Sequence, residues 1–316
     1  MTVVVVTWNG AHLLDPCLIS LRAQTVAHRV VVVDNASTDG TAELLASRYA
    51  DVDVVRLPTN TGFAGGAQAG LEAVSTEYIS FLNNDAQAEP GWLAALQDAL
   101  DRCPDVVAAT SQILLAVNGR INNAGGALTR WGSGYDRGYG QRVSDGFAQS
   151  ADVAAFCGAA AAIRTAAARQ VGGFPADFFL YYEDTDLSWR LGRAGGRIRY
   201  VPAAVVHHLH SATSDQASEA FAFFNQRNQL LMLVRNAPWS TVGVAVGRYL
   251  AVTGVRAVSG RGRTRSHQAR LRHRLRVLGA VVAGLPEAVR VRRDTNGTAA
   301  ISARDFARRW LGTEAL

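Results

Sequence analysis

The chain has 316 residues, 48% hydrophobic and 18% charged, with 8 Pro and 30 Gly. It is too long and apolar for a disordered tail or a disulfide-stapled miniature, and too little biased for a low-complexity protein. The net charge of +6 hides a segregation: there is no Lys, and sixteen of the 32 Arg lie in residues 1–234 with 22 acidic residues, sixteen in residues 235–316 with only four, an acidic body and a basic tail whose partner would be nucleic acid or an anionic membrane surface.

In chain order, short β-branched runs alternate with helical stretches, the pattern of a parallel sheet with crossover helices. Strands are expected at Val3–Thr7, Arg29–Asp34, Val52–Leu57, Tyr78–Leu82 and Val106–Thr110. Helices are expected from about Ala11 to Ala23, Thr41 to Tyr49, Ala67 to Val74, and from Pro90 to about Arg102, where Pro suits a first turn. Residues 118–147 are rich in Gly and turn residues and read as a long loop of the kind that covers a substrate. Beyond it, 153–163 is small and apolar, Thr165–Val171 is helical and closed by Gly172-Gly173, and Asp184–Ala194 is helical and closed by Gly195-Gly196. A strand Arg197–Val201 ending at Pro202 and a helix Ala217–Asn236 stopped by Pro238 complete the pattern.

Cys17, Cys103 and Cys157 are odd in number, far apart and without CxxC spacing, so neither a zinc site nor a disulfide framework is expected, and a reducing, cytosolic setting is. No signal peptide is expected at the N-terminus. The best apolar stretches, 241–259 and 277–291, are interrupted by Arg248 and Arg256, and by Pro286, Glu287 and Arg290, short of the roughly 20 uncharged residues of a membrane span.

Four polar clusters follow the first four strands: Thr7-Trp8-Asn9-Gly10, Asp34 to Gly40, Asn60 to Gly66, and Asn83-Asn84-Asp85. Open parallel sheets bind ligands just beyond the carboxyl ends of their strands. A single strand-end Asp is commonly only a turn or helix cap; four clusters in succession point to a site. Asp34 to Gly40 lacks the terminal Glu of a calcium loop, and the glycines at 62, 65, 66 and 70 match neither GxGxxG nor a P-loop, which needs Lys. They allow close approach of a nucleotide or sugar, or simply a loop-to-helix turn.

VVVVTWNG, VVVVDNASTDGT, NTGFAGGAQAG and FLNND, in this order and spacing, resemble the nucleotide-sugar half of the family 2 inverting glycosyltransferases of GT-A fold; the later GGFPADFFLYYEDTDLSWRLGRAGGRIRYVPAAVVHH is similar to the acceptor half of their rhamnosyltransferase-like branch. The resemblance implies an α/β fold with a Rossmann-like, mostly parallel central sheet flanked by helices. It implies a catalytic unit over 1–236, divided into a nucleotide-sugar half (1–117) and an acceptor half (118–236), then a basic amphipathic helical tail over 237–316. By the same resemblance Thr7, Asn9, Asp34, Asn35, Gly65, Asn83, Asn84 and Asp85 serve the nucleotide sugar, with Asp34 accepting the N3–H of uracil or thymine. Asp85 stands in the place of the family's DxD motif and would bind Mg²⁺ or Mn²⁺ bridging the diphosphate, and His208, or its neighbour His210, completes that site. Asp184 would be the general base, with Glu183 or Asp186 orienting it or contacting the acceptor. Two structural roles stand beside these: acids in a helix's first turn also complement its dipole, and a histidine on a strand is often a solvated or core-capping group.

The sequence therefore points to an inverting, non-processive transfer of one sugar, such as rhamnose, from a dTDP- or UDP-sugar to a polyprenyl-diphosphate-linked saccharide in cell-envelope polysaccharide synthesis. The QxxRW element of processive relatives is absent. The alternatives are a sugar-1-phosphate nucleotidyltransferase and a non-catalytic nucleotide-sugar-binding protein; the first usually has a Gly-rich N-terminal loop with Arg or Lys, and the second would lack the acidic motif. The tail, with Arg261, Arg263, Arg265, Arg270, Arg272, Arg274 and Arg276 among Val, Leu and Ala, reads as a helix in the headgroup region with apolar residues inward and Arg reaching anionic lipid. Aromatic interleaving is too sparse for nucleic acid. A cytoplasmic protein, peripheral at the inner face of the membrane, is expected.

Overall fold

The valine runs at residues 3–6 and 30–33 form adjacent strands in register, Val3 beside Val30 through Thr7 beside Asp34. Val3, Val4 and Val5 have no exposure, because helices cover both faces of a parallel sheet. The computed structural model describes residues 1–144, 146–209, 218–258 and 270–312. Its first half runs β1 (Thr2–Thr7), α1 (Ala11–Arg22), β2 (Arg29–Asp34), α2 (Thr41–Arg48), β3 (Asp53–Arg56), α3 (Gly62–Ala73), β4 (Tyr78–Leu82), β5 (Ala86–Ala88), α4 (Trp92–Arg102) and β6 (Val106–Leu115). Then come β7 (Ile121–Asn123), β8 (Gly126–Leu128), β9 (Gly134–Asp136), β10 (Ala151–Asp152), β11 (Ala160–Arg164), α5 (Thr165–Gln170), a 3₁₀ turn Ala176–Phe178, α6 (Glu183–Arg193) and β12 (Arg197–His208). Four helices close the described chain: α7 (Glu219–Asn236), α8 (Trp239–Val258), α9 (Leu271–Thr298) and α10 (Ala303–Trp310).

The main sheet has the order β10-β12-β6-β11-β4-β1-β2-β3, with β5 paired to β12 and β7 to β6; β8 and β9 form a separate hairpin. β4, β1, β2 and β3 are parallel, as are β6 and β12, while β11 is antiparallel to both its neighbours. The chain steps outward from β1 to β3 and then returns to the other side of β1 as β4. That reversal opens a crevice at the carboxyl ends of β1 and β4, where ligands of open α/β sheets bind. One core cluster joins α1 and α4 to one face of the sheet (Leu14, Leu18, Trp92, Leu96), and a second lies on the other face (Leu71, Phe81, Phe174, Leu187). A third gathers α6 to α10 around Trp189, Leu231, Leu233, Val277 and Phe306. The α/β architecture with a central, mostly parallel sheet is thus the one the sequence predicts.

Four local expectations are corrected. α3 begins at Gly62, not Ala67; its glycines discouraged a helical reading, but a Cβ on Gly66 or Gly70 would lie 2.5 Å from Val6 or Val4 of β1, so the helix forms by packing directly on the sheet. The expected covering loop at 118–147 contains β7, β8 and β9, three-residue strands too short for alternation to reveal. β12 does not stop at Pro202: a register shift between Val201 and Val205 absorbs the proline as a bulge, and pairing continues to His208. In the tail, Arg274 does not reach outward but is buried, donating to Thr253 Oγ1 (2.8 Å) and the Tyr249 carbonyl (2.8 Å). Arg261, Arg263, Arg265 and His210 lie outside the described residues. No helix among the described residues is long and apolar enough to cross a membrane.

Candidate active site

A cleft of about 580 Å³ opens at the carboxyl ends of β1 and β4, reaching from Thr7, Trp8 and Asn83-Asn84-Asp85 to Glu183-Asp184 and His208. Distant parts of the sequence meet there because β12 ends beside β5 and because α6 points its N-terminus into the crevice.

On the first wall, Asn84 Nδ2 donates to Thr7 Oγ1 (2.9 Å), binding the ends of β1 and β4 together. Asp85 Oδ1 lies 3.0 Å from His208 Nε2, and His208 Nδ1 lies 2.7 Å from Asn122 Oδ1. With Nδ1–H donating to the Asn122 amide oxygen, Nε2 is the ring nitrogen left to face Asp85, the arrangement by which an outer partner orients a metal-binding imidazole. Asn83 Nδ2 is 3.4 Å from the same Nε2. Asp85 and His208 are both buried. Among the described residues no group of three or more His, Cys, Asp or Glu side chains gathers to hold a metal. A carboxylate oxygen and an imidazole nitrogen facing a cleft suit a hard divalent cation that draws its other ligands from substrate phosphates and water.

Three predicted residues brace the site from outside the cleft. Asn9, at φ 49°, donates its N–H to Ser37 Oγ (2.9 Å) and accepts from the Thr38 N–H (2.8 Å), clamping the loop after β1 to that after β2. Asp34 is 1% exposed; Oδ1 accepts from the Ser37 N–H (2.9 Å), while Oδ2 has no hydrogen-bond partner and lies 3.6 Å from Arg56 Nε. Gly65, in the first turn of α3, faces Thr61 at the helix N-cap. Asn35, which does line the cleft, donates to the Gly62 carbonyl (2.8 Å) and accepts from the Thr61 N–H (2.8 Å). Gly62 itself has φ +71°, and a Cβ on it would fall 2.0 Å from the Phe179 carbonyl oxygen, so no other residue fits this contact.

The opposite wall is the start of α6. Asp184 is half-buried; Oδ2 accepts from the Gly158 N–H (3.0 Å), and Oδ1 from the Thr185 N–H (2.6 Å) and hydroxyl (3.1 Å). Burial pushes its carboxyl above the usual aspartate range against these donors. Glu183 is 6% exposed and its Oε2 has no partner; burial first, and the neighbouring Asp184 second, hold its carboxyl well above the ordinary glutamate range. Asp186 is not brought to the cleft. It is fully buried, with Oδ2 2.7 Å from Arg190 Nη2 and Oδ1 accepting from Asn236 Nδ2 (2.7 Å), so it ties α6 to α7 and cannot contact the acceptor as expected.

Sequence reasoning missed several residues. Asn122 and Asp136 come from the segment read as a loop. Phe179, Leu180 and Tyr181 precede α6, and Phe221 and Asn225 come from α7. Cys157 also lines the cleft; burial raises its thiol, which leaves it an un-ionised wall atom. Phe179, Tyr181 and Tyr182 all have positive φ (65°, 69° and 69°), a strained approach to the acidic pair. It is held by Asn228 of α7, which is fully buried and whose Nδ2 reaches the carbonyls of Phe178 (2.9 Å), Leu180 (2.8 Å) and Tyr181 (2.9 Å). No sequence sign singled it out, because α7 also buries Arg235 and Asn236.

Comparison with known proteins agrees with this geometry. Residues 2–172 match the model of glycosyl transferase family 2. The chain is 34% identical over 212 residues to the pre-mycofactocin glycosyltransferase of Mycobacterium tuberculosis, covering 66% of this chain but only 43% of that protein. It is 29% identical over 270 residues to the N-acetylglucosaminyl-diphospho-decaprenol L-rhamnosyltransferase of the same organism, covering 76% of this chain and 86% of that one. Among solved structures, GalNAc-T7 with UDP, GalNAc and Mn²⁺ superposes with a TM-score of 0.68 at 16% identity over 97% of this chain and 55% of that one. The mannosyltransferase PcManGT of Pyrobaculum calidifontis with GDP-Man and Mn²⁺ gives 0.54 at 17% over 90% and 86%. These two share the fold. By the family match over more than half its length, the chain belongs to glycosyl transferase family 2.

Proposed function

We propose that the protein transfers one sugar, with rhamnose the leading choice, from a dTDP- or UDP-sugar to a polyprenyl-diphosphate-linked saccharide at the inner face of the cell membrane, with inversion and without processivity, in cell-envelope polysaccharide synthesis. The observation that carries the reading is a single cleft with Asp85 and His208 on one wall and Asp184 on the other. The likeness to a rhamnosyltransferase named for a decaprenol-linked acceptor supports the choice of acceptor.

Asp184 takes the proton of the acceptor hydroxyl. Burial lifts its affinity for that proton, while the Gly158 and Thr185 donors keep the carboxylate aimed. The acceptor oxygen then bonds to the anomeric carbon on the face opposite the diphosphate, and the bond from that carbon to the diphosphate oxygen breaks, which inverts the centre. Asp85 and His208 would hold Mg²⁺ or Mn²⁺, which supplies charge neutralisation to the diphosphate when bound. Thr7, Asn83 and Asn84 face the ribose and diphosphate, and Asn9 and Asn35 fix the loops around them. Asp34 has one oxygen held by the Ser37 N–H and the other, without a hydrogen bond, 3.6 Å from Arg56 Nε; one remaining acceptor suits the single imide N–H of uracil or thymine better than the paired donors of guanine.

The test is a screen of nucleotide sugars for hydrolysis and for transfer to a lipid-linked saccharide, with Mn²⁺, Mg²⁺ or EDTA. A dTDP- or UDP-sugar should be consumed with a divalent cation, and product from a defined acceptor should carry the inverted anomeric configuration. A retained configuration, or consumption of a nucleoside triphosphate and sugar 1-phosphate instead, would refute the reading.

A further inference from the structure

The described side chains of α8 have an unusual outer face. Of its exposed positions only Ser240 and Arg248 are polar, while Trp239 (58%), Val244 (47%), Leu250 (48%), Val252 (46%) and Val255 (66%) stand in solvent. The adjoining α9 adds exposed Leu275 and Val282 beside exposed Arg272 and Arg276. A surface helix normally turns such residues inward, and α8 does bury another face, through Val242, Tyr249 and Thr253. Apart from Arg292 over the Trp239 ring (4.0 Å) and Arg248 over the Trp131 ring (3.9 Å), this face is left largely to solvent, and exposed apolar surface of this kind marks an interaction site.

Charge identifies the occupant. From Trp239 to Pro286 the sequence holds nine Arg and no Asp or Glu. A second copy of this face would bring like charge against like charge, whereas an apolar stripe bordered by Arg is the composition of a helix lying in the headgroup layer of an anionic membrane. Position supports this. Tyr249 Oη of α8 donates to Gln226 Oε1 of α7 (2.9 Å), next to the cleft residue Asn225, and the Arg276 guanidinium lies 4.6 Å over the Phe223 ring. Tyr249 of α8 and Arg276 of α9 thus border the part of α7 that lines the cleft.

We propose that the outer face of α8 inserts into the headgroup region of an anionic bilayer, with the arginines of α9 at its border, and seats the cleft beside the lipid surface. The apolar side chains of α8, rather than the arginines alone, hold the protein there. The proposal deepens the lipid-linked acceptor reading, on which its purpose rests but not its evidence.

The test uses the full chain with vesicles of phosphatidylcholine alone and of phosphatidylcholine with phosphatidylglycerol. Wild type should sediment with the anionic vesicles at low salt and keep a bound fraction at high salt, since screening removes the Arg contribution but not apolar insertion. Its tryptophan emission should shift to the blue on binding, and Trp239→Phe should lose most of that shift. Val244→Ser with Val255→Ser, both at exposed positions, should leave the melting temperature unchanged and weaken partitioning at least about tenfold. Arg272→Gln should lower binding only at low salt. Equal binding by the double variant, no binding of wild type to anionic vesicles at low salt, or a concentration-dependent dimer that the double variant dissolves would each overturn the proposal. Transfer to a water-soluble saccharide should be the same in wild type and double variant. If no donor sugar is transferred at all while vesicle binding behaves as described, the lipid-acceptor reading fails and the membrane face stands.

Discussion

Asn228→Ala tests whether the acidic pair depends on the strained segment before it. The side-chain amide has two protons and three carbonyl oxygens within 2.9 Å. Removing it leaves buried acceptors unpaired, at about 1–2 kcal/mol for each lost proton, hence about 2–4 kcal/mol in all. Phe179, Tyr181 and Tyr182 keep positive φ against a strain of about 1 kcal/mol or more each, so without Asn228 the segment should relax, and Glu183 and Asp184 should move with it. Restoring the geometry in the transition state then requires that same free energy, which corresponds to a fall in kcat of roughly 30- to 700-fold at 1.4 kcal/mol per decade. Unfolding entropy of about 2.1 cal/mol/K per residue over 316 residues predicts a melting temperature lower by only about 3–6 °C. The assay is steady-state transfer well below the melting temperature, with donor affinity measured by calorimetry. Turnover should fall while donor affinity holds, and the variant combined with Asp184→Asn should be no slower than Asp184→Asn alone. Near-normal turnover, or a parallel loss of donor affinity, would refute the reasoning.

Asp184→Asn should lower turnover by about a hundredfold or more with little change in donor dissociation constant, measured by single-turnover kinetics and calorimetry; ordinary turnover would move the base elsewhere on α6. Asp85→Ala should abolish Mn²⁺ binding measured by calorimetry in the presence of UDP, and His208→Ala should weaken it; wild-type activity undiminished in EDTA would contradict both. Glu183 keeps its proton to higher pH when folded than when unfolded, so the folded protein should lose stability as pH rises from the ordinary glutamate range toward the raised folded value. Glu183→Gln should abolish that decline in thermal melts across the acid-to-neutral range, and parallel pH profiles for the two proteins would show that Glu183 is not held protonated.

The sequence by itself determined the parallel half of the fold. Unbroken valine runs can lie only between two covering layers, and polar clusters after each of four strands mark the carboxyl edge of a sheet whatever its strand order. Resemblance to the family's motifs also pointed to Asp85, Asp184 and His208, which the fold brings to one cleft. Only the tertiary structure decided which neighbours serve the cleft. Asp186, two positions from Asp184, turns to the opposite side of α6 and is fixed by Arg190 and Asn236. Asn122 lies 86 residues from the His208 it orients, and Asn228 about 50 residues from the segment it holds. The tail shows the same division: charge segregation is a sum over sequence and was legible, but whether Arg274 faced lipid or Thr253, and whether the valines of α8 faced the core or solvent, depended on how α7, α8 and α9 pack, which no local pattern of residues encodes.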